Sequence, residues 1–112
     1  MLKQREIVLI TVPYADLSAS KRRPVLILSS DQHLRQSQDM LVATITSNLN
    51  AGTLRVIFDT SDMEVGYVQV KSLIRADKIH NLSQSEVIKS FGVLNKAAFD
   101  NVLTELDNVL GR

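Results

Sequence analysis

The stretch "RRPVLILS", Arg22 to Ser29, joins two arginines to an uninterrupted aliphatic run through a single proline. A short apolar run without alternating polar residues is typical of a strand that is covered on both faces. Pro24 fixes its own φ and holds the preceding residue in an extended conformation. The stretch therefore predicts an interior strand over Pro24–Ser29, with positive charge at its entrance.

Four other stretches carry strand patterns, two of them rich in β-branched residues and two of them alternating. They are "EIVLITV" at 6–12, "DMLVATITSN" at 39–48, "LRVIF" at 54–58 and "YVQVKSLI" at 67–74. In the last of these, Gln69 and Lys71 alternate with apolar residues, which predicts that they share an outward face. The segments at 13–23 and 59–66 are polar and predict a loop and an acidic turn.

The C-terminal third of the chain predicts a strand followed by a helix. Ser83 with Glu86 three residues later predicts one helical turn before the strand "IKSFGVL" at 88–94. Asn95 can cap a helix that ends at Gly111, and its apolar residues predict one buried stripe. That stripe comprises Phe99, Val102, Leu103, Leu106, Val109 and Leu110. The sequence thus predicts a single α+β domain over 1–112, mostly β, in which the helix packs on a barrel-like sheet.

Composition excludes several classes of protein. The 112 residues are 45% hydrophobic and 22% charged, as in an ordinary globular domain. The absence of cysteine excludes disulfides, thiolate zinc sites and cysteine nucleophiles. The apolar runs are far shorter than the roughly 20 residues that span a bilayer, and a signal-peptide pattern is missing. We therefore predict a cytoplasmic protein without a membrane partner.

The basic cluster Lys21, Arg22 and Arg23 is one candidate binding site, since a net charge of only +1 requires local clustering to attract an anion. Arg23 precedes the proline, so its backbone is held more rigidly than that of the other two cations. A guanidinium suits phosphate and stabilises charge that grows during phosphoryl transfer. The alternative is that these cations only keep a strand edge soluble.

The end of the third predicted strand is a second candidate, because Thr46, Ser47 and Asn48 place hydroxyl and amide groups side by side. Such groups bind phosphate oxygens or base edges. The alternative is that the threonines favour the strand and that Ser47 and Asn48 begin a turn.

Metal chemistry finds little support in the sequence. Asp59, Asp62 and Glu64 lie in the acidic turn without a calcium-loop pattern, and His33 and His80 lack partners at ligand or triad spacing. We therefore predict no metal site and no cofactor. Gln69 and Lys71 remain as a possible polar binding face, with a simply solvated face as the alternative.

The order of these pieces resembles the MazF/PemK family of toxin endoribonucleases over nearly the whole chain. The resemblance is carried by "RPVLIL" at 23–28, "VATITSN" at 42–48, "YVQVKSLIRADKI" at 67–79 and the closing amphipathic helix. It implies an SH3-like barrel with a helix, a homodimer, and an antitoxin protein as partner. It also implies metal-independent cleavage of single-stranded RNA to 2′,3′-cyclic phosphate and 5′-hydroxyl ends.

The resemblance also implies roles for individual residues. Arg23 takes the place of the family's catalytic arginine, and Thr46 takes that of its catalytic threonine. The residues implied to bind RNA are Lys21, Arg22, Ser47, Asn48, Gln69 and Lys71.

The chain departs from the family pattern at two places. Members commonly begin with Arg-Gly-Asp or Arg-Gly-Glu, whereas this chain reads "QRE" at 4–6 without a glycine. The loop "DLSASKR" at 16–22 is short and lacks the glutamate of many relatives. Two alternatives therefore stay open: an inactive member of the family, and a non-catalytic toxin of the CcdB type that binds a protein. The second alternative is disfavoured, because this chain lacks the tryptophan that CcdB-type poisons use.

Overall fold

The computed structural model describes residues 1–11, 21–52 and 55–112, except for the side chain of residue 55. Within this part of the chain, seven strands and two helices are present. The strands are β1 Glu6–Thr11, β2 Arg22–Ile27, β3 Asp39–Thr46, β4 Arg55–Phe58, β5 Met63–Gly66, β6 Ser72–Ser83 and β7 Val87–Leu94. The helices are α1 Asp31–Gln36 and α2 Lys96–Leu110, and single 3₁₀ turns span Thr60–Asp62 and Gln84–Glu86.

The seven strands form one antiparallel sheet in the order β4-β6-β3-β2-β1-β7-β5. Its two edge strands, β4 and β5, are consecutive in the chain and are joined only by residues 59–62. Because so short a connection cannot cross a flat sheet of seven strands, the sheet must curl until its edges meet. The result is a half-barrel with a C-terminal helix, so the predicted mostly-β class is confirmed.

A reciprocal cap holds the connection between the two edges. The Asp59 carboxylate accepts a hydrogen bond from the Ser61 backbone at 2.9 Å, and the Asp62 carboxylate accepts one from the Asp59 backbone at 3.0 Å. The Asn95 backbone N–H in turn donates to the Asp62 carbonyl at 2.7 Å, which ties this corner to the start of α2. The acidic residues of the predicted turn thus satisfy backbone groups.

Hydrophobic residues cover both faces of the sheet. On one face, Phe99 and Val102 of α2 pack with Leu26 of β2. On the other face, Leu34 of α1 packs with Val25 and alternate residues of β2 and β3. Since β2 is central and covered on both sides, its sequence is aliphatic at successive positions, as predicted.

The strand predicted over 67–74 is wrong in its first half. Residues 67–71 lie outside any strand, and β6 begins at Ser72. Gly66 ends β5 with φ at 79°, and the chain then leaves one edge of the sheet for the strand beside the other edge. The segment therefore runs over the open end of the barrel, where Tyr67 is 65% exposed and Val70 is 59% exposed.

The predictions for the C-terminal third of the chain are confirmed in part. The turn after Ser83, the following strand, the cap by Asn95 and the left-handed end at Gly111 are confirmed. The predicted stripe of α2 is confirmed for Phe99 and Val102, which are buried, and Leu106 is half-buried, but the prediction is wrong for its other members. Leu103, Val109 and Leu110 are exposed.

Two elements were not predicted. The helix α1 was missed. Ser30 caps its N-terminus, and its residue Leu34 is buried. The strand β5 lies inside the predicted acidic turn. The predicted loop residues 13–20, and Val12 and Leu54 at the ends of predicted strands, lie outside the described residues. None of the described helices is both long enough and apolar enough to cross a membrane.

Candidate functional site

A cleft opens between β2 and β3 at one end of the sheet. The two strands pair from Ile27↔Val42 to Val25↔Thr44, and the pairing does not continue to Pro24 or Arg23. β2 nevertheless stays paired with β1 as far as Arg22, and β3 stays paired with β6 as far as Thr46. Pro24 has no N–H to donate to a ladder. The ladder between β2 and β3 therefore ends here, and we call the space between residues 22–24 and residues 45–46 the cleft.

Arg23 and Thr46 flank this cleft on the same face of the sheet. Side chains alternate along a strand, so Arg23 shares the face of Val25, and Thr46 shares the face of Thr44. Val25 and Thr44 are register partners, and continuing their register by two residues sets Arg23 opposite Thr46. The two residues that the resemblance implies to be catalytic are thus brought to one end of two neighbouring strands.

The basic cluster at the entrance of β2 is exposed to solvent. Lys21, Arg22 and Arg23 are all exposed, and no carboxylate of the described residues forms an ion pair with them. Uncommitted cations beside a cleft leave their charge available to an anionic ligand. The cluster lies beside the polar end of β3 and so remains a candidate binding site.

The hydroxyl of Thr46 accepts a hydrogen bond from the turn that follows it and can still donate its own proton. Its Oγ1 accepts a hydrogen bond from the Asn48 backbone N–H at 3.1 Å. A hydroxyl has one proton and two lone pairs, so this bond leaves the proton for another acceptor. The Asn48 side-chain oxygen accepts from the Asn50 backbone at 3.1 Å, which confirms the predicted turn. Ser47 and Asn48 are exposed on this turn.

A cavity of about 370 Å³ lies at the open end of the barrel, on the other face of the sheet from Arg23 and Thr46. Its lining comprises Ile7, Pro24, Ile45, Phe58, Tyr67, Val68, Gln69, Val70, Ser72, Lys89, Ser90 and Phe91. Pro24 and Ile45 are the chain neighbours of Arg23 and Thr46, so the cavity lies beside the two residues that the resemblance implies to be catalytic. We call this space the mouth cavity.

The structure separates Gln69 from Lys71, which were predicted to share one face. Gln69 lines the mouth cavity, whereas Lys71 is exposed outside it. Hydrogen bonds from Ser61 and, to a smaller extent, the charge of Lys71 hold the pKa of the Asp59 carboxyl below its usual value. Lys71 therefore lies beside the corner that joins the sheet edges.

Arg75 of β6 forms an ion pair with Asp77. Its guanidinium donates to both carboxylate oxygens of Asp77, at 3.1 and 2.9 Å, which lowers the pKa of Asp77 and raises that of Arg75. The same guanidinium packs against Gly52, so closely that a Cβ there would lie 2.9 Å from it. Arg75 thus supports the connection that follows Thr46 and its turn.

Sequence reasoning missed Lys89 as a site residue. Lys89 pairs with Leu9 of β1, and Leu9 pairs with Pro24 of β2, so Lys89 lies two strands from the cleft. Its ammonium group is 5.1 Å from the centre of the Phe91 ring. Only the pairing of distant strands brings it here, and "IKSFGVL" gives no local signal of that.

The donor set for a metal is sparse. Among the described residues, no group of three His, Asp or Glu side chains is placed to hold an ion. The charged groups at the cleft and at the mouth cavity are cations.

Comparison with known proteins identifies the family. The family model of PemK-like, MazF-like toxins of type II toxin–antitoxin systems matches residues 3–110. The chain belongs to this family. It is a toxin of the MazF/PemK type by that match, which covers all the elements described above. No individually curated protein matches the sequence significantly.

Solved structures share the MazF/PemK fold at low sequence identity. A mycobacterial endoribonuclease, solved in complex with its cognate antitoxin, is 20% identical, with a TM-score of 0.80 over 99% of this chain and 96% of that one. The toxin MazF-mt6 of Mycobacterium tuberculosis is 19% identical, with a TM-score of 0.77 over 96% and 97%. MazF from Deinococcus radiodurans is also 19% identical, with a TM-score of 0.76 over 99% and 97%.

Proposed function

We propose that this toxin is a metal-independent endoribonuclease that cleaves single-stranded RNA to 2′,3′-cyclic phosphate and 5′-hydroxyl ends. The observation that carries the proposal is the cleft, which sets a solvent-exposed guanidinium and a hydroxyl on one face of two separating strands. Family membership supports it, as do the similar structures whose names describe endoribonucleases.

Two groups at the cleft fit this chemistry. The ribose 2′-oxygen attacks the adjacent phosphorus, the P–O5′ bond breaks, the 2′-hydroxyl proton passes to water, and another proton reaches O5′ from water. Arg23 stabilises the charge that grows on the phosphate oxygens. The Thr46 proton is donated to a non-bridging oxygen, since its lone pair already holds the turn.

The remaining predicted residues are proposed to position the RNA. Lys21 and Arg22 extend the positive charge along the strand entrance, and Ser47 and Asn48 offer exposed donors on the turn. Phosphate contacts of this kind fix the register of a nucleic acid without reading its bases. Lys71 is proposed as a further phosphate contact at the rim of the barrel.

Partners are proposed on the same basis. One similar structure is an endoribonuclease in complex with its cognate antitoxin, and we propose that an antitoxin protein binds this toxin. We also propose a homodimer acting in the cytoplasm. A sheet that is only half closed, with exposed Leu103 and Leu110 on α2, has apolar surface for a second copy to cover.

The deciding experiment is cleavage of mixed-sequence RNA in EDTA. The wild-type protein is expected to cut, and Arg23→Ala is expected to lower the rate by at least about a hundredfold. Arg35→Ala is the matched control, because Arg35 is equally exposed but lies on α1, at the opposite end of β2. Intact RNA at high concentration of folded wild-type protein would contradict the proposal and favour a non-catalytic toxin.

A further inference from the structure

The mouth cavity has the size and lining of a site for one flat, polar-edged ligand. Its volume of about 370 Å³ lies in the range of small-ligand sites, roughly 300–1,000 Å³. Its floor is apolar and is formed by Ile7, Pro24, Ile45 and Phe58. Its rim is the segment 67–70 with β7, which carries aromatic rings and polar groups. An apolar floor under a polar rim is the usual design of a pocket that orients its ligand.

The polar groups of the rim differ in whether they bond to other described residues. The Ser72 hydroxyl donates to the Val70 carbonyl at 3.1 Å, and the Ser90 hydroxyl accepts from the Gly92 backbone at 3.3 Å. The Gln69 carboxamide has no hydrogen bond to any described residue, although it lines the cavity. A carboxamide offers a donor beside an acceptor, which matches the edge of a nucleobase.

The aromatic and charged groups indicate the same chemistry. Tyr67 is 65% exposed at the rim, and the Phe91 ring lies beneath the Lys89 ammonium. Exposed rings stack on unpaired bases, and an ammonium binds phosphate. Lys89 is the one charged residue of the described lining, which contains no carboxylate. The cavity therefore complements an anionic, aromatic ligand better than an apolar peptide.

The cleft joins this cavity to the proposed catalytic pair. Pro24 and Ile45 line the cavity from the two sides of the cleft, and their neighbours Arg23 and Thr46 flank it on the opposite face. RNA that lies across this end of the sheet can thus place a phosphate beside Arg23 and Thr46 while a neighbouring base reaches the mouth cavity.

We propose that the mouth cavity binds one unpaired base of the RNA next to the scissile phosphate, and that Gln69, Tyr67 and Lys89 determine which base is accepted. This inference rests on the proposed endoribonuclease function. Gln69 bonds the base edge, Tyr67 stacks on its plane, and Lys89 holds the adjoining phosphate. Tyr67 and Lys89 are thereby assigned as specificity and positioning residues.

The first test sequences the ends produced from randomised RNA. Gln69→Ala is expected to relax the preference at one position beside the cut and to lower kcat/KM for the preferred base by about tenfold, the size of one lost base contact. Gln32→Ala, an exposed glutamine on α1, is the matched control and should change neither quantity. An unchanged preference in Gln69→Ala and Tyr67→Ala, with cleavage still abolished by Arg23→Ala, would overturn the cavity proposal alone.

The second test does not depend on cleavage. A fluorescent, uncleavable 2′-O-methyl RNA is titrated with wild-type protein, Tyr67→Ala and Lys89→Ala, and anisotropy reports binding. Tyr67→Ala is expected to bind about tenfold more weakly, since stacking on one aromatic ring is worth about 1–3 kcal/mol. Lys89→Ala is expected to bind more weakly by a similar factor, because it loses its contact with a phosphate. Equal affinities would overturn the proposal. So would variants that lose only antitoxin binding, because the cavity would then be a protein site.

Failure of the proposed function gives a different pattern. If the wild-type protein binds the 2′-O-methyl RNA through Tyr67 and Lys89 but never cuts RNA, catalysis is absent while the base site stands. The two rim residues are exposed or lie on an exposed strand face, so their truncation should leave the fold intact. Circular dichroism of each variant checks this.

Discussion

Arg5 has an unusual backbone at the start of β1. Its φ is 74°, in the left-handed region, and it is the one non-glycine residue with positive φ among the described residues. Its guanidinium donates to the Leu94 carbonyl at 2.8 Å and pairs with Glu64 at 3.2 Å. Side-chain bonds to β5 and β7 thus accompany a conformation that glycine adopts without strain.

Substitution at Arg5 separates the effect of its left-handed backbone from that of its guanidinium bonds. Both Arg5→Gly and Arg5→Ala lose the guanidinium bonds, but only alanine keeps the left-handed strain of about 1 kcal/mol. We expect the glycine variant to have the higher free energy of unfolding, by about that amount, in urea titrations. At Lys3, whose φ is not positive, the order should reverse. An alanine variant of Arg5 as stable as the glycine variant would contradict this explanation.

Thr46 offers a second prediction at the residue scale. Thr46→Val removes the hydroxyl but keeps the shape, whereas Thr46→Ser keeps the hydroxyl. If the hydroxyl proton is donated to the phosphate, Thr46→Val should cut RNA about a hundredfold more slowly, and Thr46→Ser should stay near the wild-type rate. Single-turnover cleavage measures both. Equal loss in the two variants would contradict this role for the hydroxyl proton, because Thr46→Ser retains it.

The pair Arg75 and Asp77 predicts a pH dependence. Because the pKa of Asp77 is lowered in the folded protein, the unfolded chain binds the extra proton first as pH falls. The stabilisation is thus present above the ordinary aspartate pKa of about 4 and is lost as pH falls through the lowered value. Asp77→Asn should cost up to about 1 kcal/mol at pH 7 and nothing in strong acid. A difference that persists at all pH values would exclude the ion pair as its cause.

At the scale of elements, β5 and β7 approach each other through two glycines. Gly66 and Gly92 are register partners, with φ at 79° and 134°. A Cβ on Gly92 would meet the Val65 carbonyl oxygen, and one on Gly66 would meet that of Phe91. The edge strand β5 can pair only because both side chains are absent.

Alanine at these positions tests the close approach. Gly92→Ala is expected to lower the free energy of unfolding by more than about 3 kcal/mol, since strand backbone must move as well as adopt a strained φ. Gly111→Ala is the control: its φ of 74° is also positive, but no atom lies within 4 Å of the added Cβ. That variant should lose only about 1 kcal/mol. Similar losses would show that strain alone matters.

Local patterns predicted the elements whose packing is itself local. The interior strand at Pro24, the cap at Asn95 and the first half of α2 follow from residues that lie close in sequence. The segment 67–71 and the exposed end of α2 depend on where the curled sheet ends, which no short window contains. Arg23 and Thr46 could be predicted as site residues from the order of motifs. Tyr67 and Lys89 could not, because they meet at the mouth cavity only after the barrel has curled.

The whole molecule has two apolar clusters on opposite faces of one sheet. Phe99 belongs to the cluster under α2, and Leu34 belongs to the cluster under α1. Strands β1, β2 and β3 contribute alternate residues to both, so neither cluster can form without the same backbone. This sharing predicts a single cooperative domain, as the chain length also does.

Unfolding of core variants tests that cooperativity. Phe99→Ala and Leu34→Ala should each cost about 2–5 kcal/mol and shift one common transition. Far-ultraviolet circular dichroism and tyrosine fluorescence should give coincident curves. Two separated transitions in either variant would show that the two faces unfold independently.

The four residues that join β4 to β5 also divide the chain into complementary halves. β6 of the second half pairs with β3 and β4 of the first, and β7 pairs with β1. Proteolytic nicking between Asp59 and Asp62 should therefore leave two fragments clasped together, held by strand ladders and a shared interior. Expressed separately, each fragment should be unfolded, and mixing them should restore the barrel, so the toxin could be divided at this point and switched on by reassembly.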